Sequence, residues 1–560
     1  MILVYGLNEP MNMNRLVDKT KLITRHPIIS TALCAAFVMF PIYYLLVLLY
    51  NPQLHFLRNT AVNYIVIMIT GISFALFANN ILHSLNARLK ALFRTLFASA
   101  LFLYGAVLVT ITYYCYTHYI FESIDLSYYH IAIWQLSQWK LPYIWDMPTT
   151  PIWQQHFEPV LFFFVPIYWV IRDAGFLVII QAFSVISGAI PLYLTAKLVL
   201  RSRFMALASA YAYLAFGGLQ VGYAYGFHPI VLFPSLFLWM YFWYVRKKPF
   251  FYILFVLLCL FVKEEVSFIM LFWGLYLIFV KRDVRLGIIT STMGALWYIL
   301  CFQIIFPHFS PKIGFVYWYQ YNQTYGKGVT GLFMFALKQP RQFLMSFITP
   351  AGKIDMFLCL FGAFAFLPFI YPPSLIIVFP SLMEKLLNSG LAALNGTHYT
   401  AAVTGVTVVA TVEALRVIRN KPLASMSRGA IFLGTVIAYV AFFSNILYGC
   451  LTFAVFPLGN IVPPPKDSIA FLNQIISLIP AGASVGAQYV IAPHIAKPFG
   501  KIFPWPNFPI GPDYIIYDTQ LAPELTSNEI INDNLHKLSA NADYRLVINH
   551  LGIVVFKKIK

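Results

Sequence analysis

Charge is scarce in this sequence, and negative charge scarcer still. Only 10% of its 560 residues are Asp, Glu, Lys or Arg, and 20 of those are acidic. Soluble globular domains carry about a quarter charged residues, so that class is excluded. The six cysteines (Cys34, Cys115, Cys259, Cys301, Cys359, Cys450) lie mostly in apolar stretches without paired ligand spacing, which argues against a disulfide or zinc framework. Alternating ten-residue segments are missing, which argues against a membrane β-barrel. No basic soluble module is visible, so nucleic acid is not an expected partner. No small-residue cleavage pattern closely follows the first apolar run, which comes after Arg15, Lys19, Lys21 and Arg25; a retained first helix is expected.

Apolar length is what the sequence has in abundance. It is 60% hydrophobic and 18% aromatic, and many runs approach the ~20 residues that span a bilayer. The expected class is a polytopic α-helical membrane protein. The net charge of +18 reads as the positive-inside bias of such proteins. Placing the Lys/Arg-rich segments 12–25, 88–94, 201–203, 246–248, 281–285 and 416–428 in the cytoplasm gives a consistent path of about 13 crossings. The predicted spans are 28–50, 62–82, 95–117, 175–200, 204–225, 229–245, 250–262, 266–281, 286–306, 354–371, 372–388, 399–417 and 429–449. The amino end is then cytoplasmic and the carboxyl end outside. Residues 118–174 form one large outer loop, with 159–172 as an interfacial or re-entrant helix, and 307–353 form a second outer loop. Residues 1–94 hold a cytoplasmic segment and two added helices, 95–450 the transmembrane core, and 451–560 a small extracytoplasmic α/β domain.

Three consecutive charges, Lys263, Glu264 and Glu265, break an otherwise apolar stretch. At bilayer depth each costs roughly 2.5–3.5 kcal/mol on insertion scales, so the triplet is either a hairpin tip reaching water or the wall of a polar site. The charge-based topology moves it to the outer edge. Glu122, Asp125, His156, His228 and His398 fall on the same side. Each has a plain structural alternative: Asp125 as the cap of helix 126–139, His156 as a cap before Pro159, His228 as a turn residue before Pro229. Glu384-Lys385 reads as a surface pair near a membrane face. The aromatic crowd at Tyr128, Tyr129, Trp134, Trp139, Tyr143, Trp145 and Trp153 is an interfacial belt or a stacking surface for sugar or lipid. Asn322 and Asn395 stand in glycosylation sequons on predicted outer segments.

Several of these pieces resemble the membrane family called domain of unknown function 2079. They are Ile124-Asp125-Leu126 with Ile133-Trp134-Gln135, His156-Phe157-Glu158-Pro159, Phe227-His228-Pro229, Lys263-Glu264-Glu265 and His398-Tyr399. Ile479–Val485 and Ala492–Ala496 also match. The likeness runs from about residue 95 to about 520. Ile124, Ser127 and Glu265 depart from the usual aromatic, glycine and aspartate. The family's layout is similar to that of GT-C membrane glycosyltransferases, which implies a core beginning at 95–117 followed by a loop bearing a catalytic acid.

The resemblance implies a transfer of sugar from a polyprenyl-phosphate donor to an acceptor on the extracytoplasmic face of the plasma membrane, in the cell envelope. Asp125 would be the base. Lys263, His228, His156 and His398 would bind the donor phosphate, with Glu264, Glu265 and Glu122 as supporting acids. Glu264 and Glu265 could pair with Lys263, or instead help Asp125 hold a divalent metal such as Mg or Mn. The other readings are a transporter or lipid flippase, which should show inverted repeats, and a non-catalytic envelope-anchoring protein. Membrane lipids are partners under all three.

Overall fold

The computed structural model describes residues 60–559 apart from short stretches, the longest being 389–397 and 450–464. The expected first span at 28–50, Glu122, and the sequon residues Asn322 and Asn395 lie outside the described residues. Among the described residues, six helices are long and apolar enough to cross a membrane: Thr60–Asn79, Ala87–Thr117, Gly175–Leu200, Val284–Phe309, Thr400–Arg419 and Arg428–Tyr448. The expected spans at 229–245, 250–262 and 266–281 coincide with shorter apolar helices. The expected span at 354–371 is a helix only over Gly352–Gly362, because the chain turns through positive φ at Ala365 and Phe366.

Helix environment follows composition. Thr400–Arg419, rich in Ala, Val and Thr, runs through the protein interior with most of its length buried, and its one acidic residue, Glu413, is buried against Lys281 and Tyr241. Its threonines satisfy themselves on the preceding turn, as in Thr404 to Thr400 O at 2.7 Å. Ala87–Thr117 is as apolar, yet little of it is buried, so its Leu and Phe side chains face outward as lipid-facing ones do. This helix starts at Asn86, whose side chain accepts from Leu89 N at 2.9 Å. The basic segment 88–94 is therefore the first turns of a helix and not a loop.

Val266–Tyr276 and Val284–Ile299 pack along small residues, which let the backbones approach. A Cβ on Gly294 would sit 2.7 Å from Ser267 O and 2.8 Å from Leu271 N. Gly294→Val is expected to destabilise the protein by about 1–3 kcal/mol, the usual cost of overpacking. Thermal unfolding in detergent checks this; an unchanged midpoint would mean that the helix pair is not packed this closely.

Helix Ile124–Ser137 is followed by a hairpin of Tyr143–Ile144 and Met147–Pro151, then by short helices Pro159–Phe164 and Val165–Val170. The stretch 307–353, expected as a loop, contains helices Gly328–Lys338 and Pro340–Ser346. Near the carboxyl end a five-stranded sheet runs in the order Ile502–Pro504, Val485–Ala487, Tyr514–Asp518, Ile553–Lys558, Tyr544–His550. Its first three strands are parallel and the others antiparallel. Helices Lys466–Leu478 and Asn528–Ser539 accompany it. The sheet unit docks on the end of Ala87–Thr117. Tyr119 Oη donates to Asn473 Oδ1 at 2.6 Å, and the His494 ring stacks on Tyr116 at 4.3 Å.

Candidate active site

Four segments far apart in sequence meet where helix Ile124–Ser137 begins. Asp125 lies in its first turn. Its carboxylate does not cap the helix but faces His228, with Oδ2 2.9 Å from Nε2. The turn that carries His228 is clamped by buried Gln181, which donates to Gly226 O at 2.5 Å and accepts from His228 N at 2.7 Å. Gly226 adopts φ of +93°, a conformation that glycine alone takes without strain. His398 precedes the buried helix Thr400–Arg419, whose first turn is tied to Gly218 O by Thr400 Oγ1 at 2.7 Å. The His398 ring stacks on that of His228, 3.5 Å apart and 14° from parallel.

The triplet is the fourth segment. Of its two readings, the solvated tip does not hold for Lys263 and Glu264, which are 3% and 2% exposed. The loop at 156–160 closes over Glu264, while Glu265 keeps 18% of its side chain exposed. Glu264 accepts from His156 Nδ1 at 2.8 Å and from Phe157 N at 3.1 Å. Lys263 Nζ lies 3.4 Å from Glu265 and 5.5 Å above the Tyr399 ring. Lys385 reaches the same ring at 5.2 Å. Glu384-Lys385 is thus no surface pair, since Lys385 is buried against Tyr399 and Glu384 lines the pocket beside it.

Asp125, His156, His228, Lys263 and His398 line one chamber of about 160 Å³, with Tyr128, Tyr129, Glu158, Tyr317 and Tyr399. Asp125 is 34% exposed into it. Glu264 and Glu265 stand behind Lys263 and line the neighbouring pocket instead. Glu158 and Tyr317 are additions to which the sequence assigns no role, whereas Tyr128 and Tyr129 belong to the aromatic crowd and Tyr399 to a matched motif. The signals for Glu158 are its place on the outer loop and beside His156 in a matched motif. Tyr317 stacks on His156 at 4.8 Å and donates to Gln155 Oε1 at 3.2 Å.

Charge is arranged around these contacts. Burial works against the Asp125 anion, but His228 outweighs it and holds the carboxyl below its usual range. Burial opposes the Glu264 anion in the same way and His156 reverses it. For Lys263, burial is overcome by Glu265 and Glu264, so the ammonium is held well above its ordinary value. Burial, followed by His228, keeps His398 neutral.

Glu158 differs. Burial pushes its carboxyl well above the usual range, against the pull of Lys263. Tyr129 Oη donates to its Oε1 at 3.1 Å, and Oε2 has no hydrogen-bond partner. A raised folded value favours the native state below the unfolded value and loses that stability as pH rises through the raised one. Glu158→Gln, a neutral mimic, is therefore expected to gain thermal stability relative to the parent as pH increases. Unfolding midpoints at pH 6 and 8 check this; a difference independent of pH would show that Glu158 is ionised throughout.

The ligand atoms of Asp125, His228 and His398 all lie within 4.8 Å of one another. One carboxylate and two imidazoles suit Mn or Zn better than Mg, which prefers oxygen. A larger apolar pocket of about 300 Å³ adjoins the chamber and shares His156, Lys263, Tyr317 and Tyr399 with it. Its far walls are apolar, including Phe268, Phe272, Phe302, Leu332 and Phe379.

No curated protein matches the chain. Two solved structures of ArnT from Cupriavidus metallidurans are similar to it. The one bound to undecaprenyl phosphate is 11% identical, with a TM-score of 0.44, over 82% of this chain and 98% of that one. The apo structure is 10% identical, with a TM-score of 0.38, over 80% and 97%. A family model, described as predicted membrane protein (DUF2079), matches residues 117–555. That match takes in Asp125, His156, His228, the Lys263 triplet and His398, and the chain belongs to the DUF2079 family of predicted membrane proteins.

Proposed function

We propose that the chamber transfers a sugar from a polyprenyl-phosphate donor to an acceptor hydroxyl on the extracytoplasmic face. The observation that carries the reading is the joining of a charged chamber to an apolar pocket through Lys263, His156, Tyr317 and Tyr399. That shape fits an amphiphile whose phosphate sits at the junction and whose chain lies in the apolar part. In this reading Asp125 accepts the proton of the acceptor hydroxyl. The acceptor oxygen bonds to the anomeric carbon as the bond from that carbon to the phosphate oxygen breaks. The leaving phosphate takes the electron pair and is stabilised by Lys263, with His156 beside it. Protonated Glu158 donates to a sugar oxygen. A divalent ion held by Asp125, His228 and His398 would add Lewis-acid stabilisation of the phosphate.

The GT-C-like core, the outer placement of 118–174 and of the sheet unit, and the cytoplasmic amino end belong to the same proposal. The chamber lies at one end of the long helices and not at their midpoints, where a transporter would place its site. The test uses purified chain in proteoliposomes with a panel of polyprenyl-phosphate sugars. The expected result is release of free polyprenyl phosphate. Intact donor recovered in the opposite leaflet without bond cleavage would instead make the protein a flippase.

A further inference from the structure

The other end of the molecule holds a second cavity of about 420 Å³. Helix Ala87–Thr117 separates it from the chamber. Its 31 residues span about 46 Å at the ordinary helical rise, so the two cavities lie at opposite ends of the helix. Lys90, Arg94, Arg201, Arg203 and Arg419 line the second cavity, and none of the described residues lining it is acidic. They come from three segments that the sequence alone kept apart. Five like charges around one hollow repel one another and make it a site of positive potential.

Local geometry adds to the positive potential. Two helices begin at the cavity, Ala87–Thr117 and Arg203–Ala215, the second capped by Ser202 Oγ accepting from Met205 N at 3.3 Å. Helix starts carry partial positive charge and orphan N–H groups. Arg201 turns through φ of +52°, ending the helix before it. Arg419 Nε donates to Leu200 O at 3.1 Å, which fixes its guanidinium beside that turn.

We propose that this cavity binds the phosphate headgroup of an anionic phospholipid of the cytoplasmic leaflet. Phosphate chemistry follows from the concentration of arginines, whose planar forks match phosphate oxygens. The lipid source follows from the walls. Leu89, Leu92, Phe93 and Leu96 beside the cavity are 46%, 54%, 42% and 60% exposed on a helix that is itself apolar and outward-facing. Acyl chains can lie on that surface while the headgroup enters the basic hollow. Basic pockets between membrane helices bind anionic headgroups in this way.

The experiment uses the full chain in neutral detergent, titrated with phosphatidylglycerol, phosphatidylcholine or inorganic phosphate, and reads the thermal midpoint. Phosphatidylglycerol is expected to raise the midpoint and phosphatidylcholine to leave it unchanged. In the double variant Arg94→Gln/Arg203→Gln, the phosphatidylglycerol concentration needed is expected to rise about thirtyfold, from roughly fivefold per cation. Arg94→Lys/Arg203→Lys should recover most of that response, which separates loss of charge from damage to the fold. If the Gln pair does not fold, Arg201→Gln, at an exposed position, provides the same comparison. Equal stabilisation by both lipids, or an undiminished response in the charge-removing variants, would overturn the proposal. Protection by inorganic phosphate alone, with the same dependence on the arginines, would overturn the lipid source and assign the cavity to a soluble phosphate.

Discussion

Asp125→Asn is expected to lower sugar transfer by about 10²–10⁴-fold, the usual worth of a positioned general base, while donor affinity changes little. The asparagine keeps the size of the side chain and one oxygen that His228 can approach, so the 2.9 Å contact survives in neutral form. What is lost is the ability to take a proton. Single-turnover assays at saturating donor check this, and equal rates in parent and variant would remove Asp125 from the reaction. The variant also has a stability signature. A carboxyl held below its ordinary value contributes stability above the unfolded value of about 3.9 and loses it as pH falls through the lowered one. The stability deficit of Asp125→Asn should therefore be present at pH 7 and shrink toward pH 3.

Lys263→Ala is expected to have the second large effect, on both the fold and the donor. Removing the ammonium leaves Glu264 and Glu265 without their shared cation beside buried Glu158. Breaking one side of a buried charge cluster costs about 3–5 kcal/mol. Donor binding should weaken as well, because Lys263 stands where chamber and apolar pocket meet. Lys263→Arg separates the two effects: it restores charge and much of the stability, but its planar fork does not reproduce a point charge above Tyr399. An alanine variant as stable as the parent, with unchanged donor affinity, would return the triplet to a neutral structural role. The lysine's own contribution is present at all pH below the ordinary lysine value and is lost only as pH rises through its raised one.

The reach of the sequence is visible in particular residues. Asp125, His156, His228, Lys263 and His398 were each legible, because an ionisable group beside an apolar helix needs a reason and the Lys/Arg pattern placed all five on one side. Glu158 was named but given no role. Its chemistry comes from burial under Tyr129, which no periodicity encodes. Glu384-Lys385 was misread because adjacency in a chain says nothing about which neighbouring helix covers the pair. The triplet was read at the outer edge, but its closure by the 156–160 loop rests on His156 Nδ1 and Phe157 N, more than a hundred positions away in the chain.

The sequence by itself determined that the chain is a bundle of apolar helices and where its charged groups sit along them, because hydropathy and helix breaks are local properties paid for segment by segment. Only the tertiary structure decided which ends meet. Stacking of His398 on His228, closure over Lys263, the apolar pocket beside it and the arginine-lined hollow at the far end of Ala87–Thr117 are all contacts between distant segments. Their energies depend on distance and burial in three dimensions, and neither can be read along a chain.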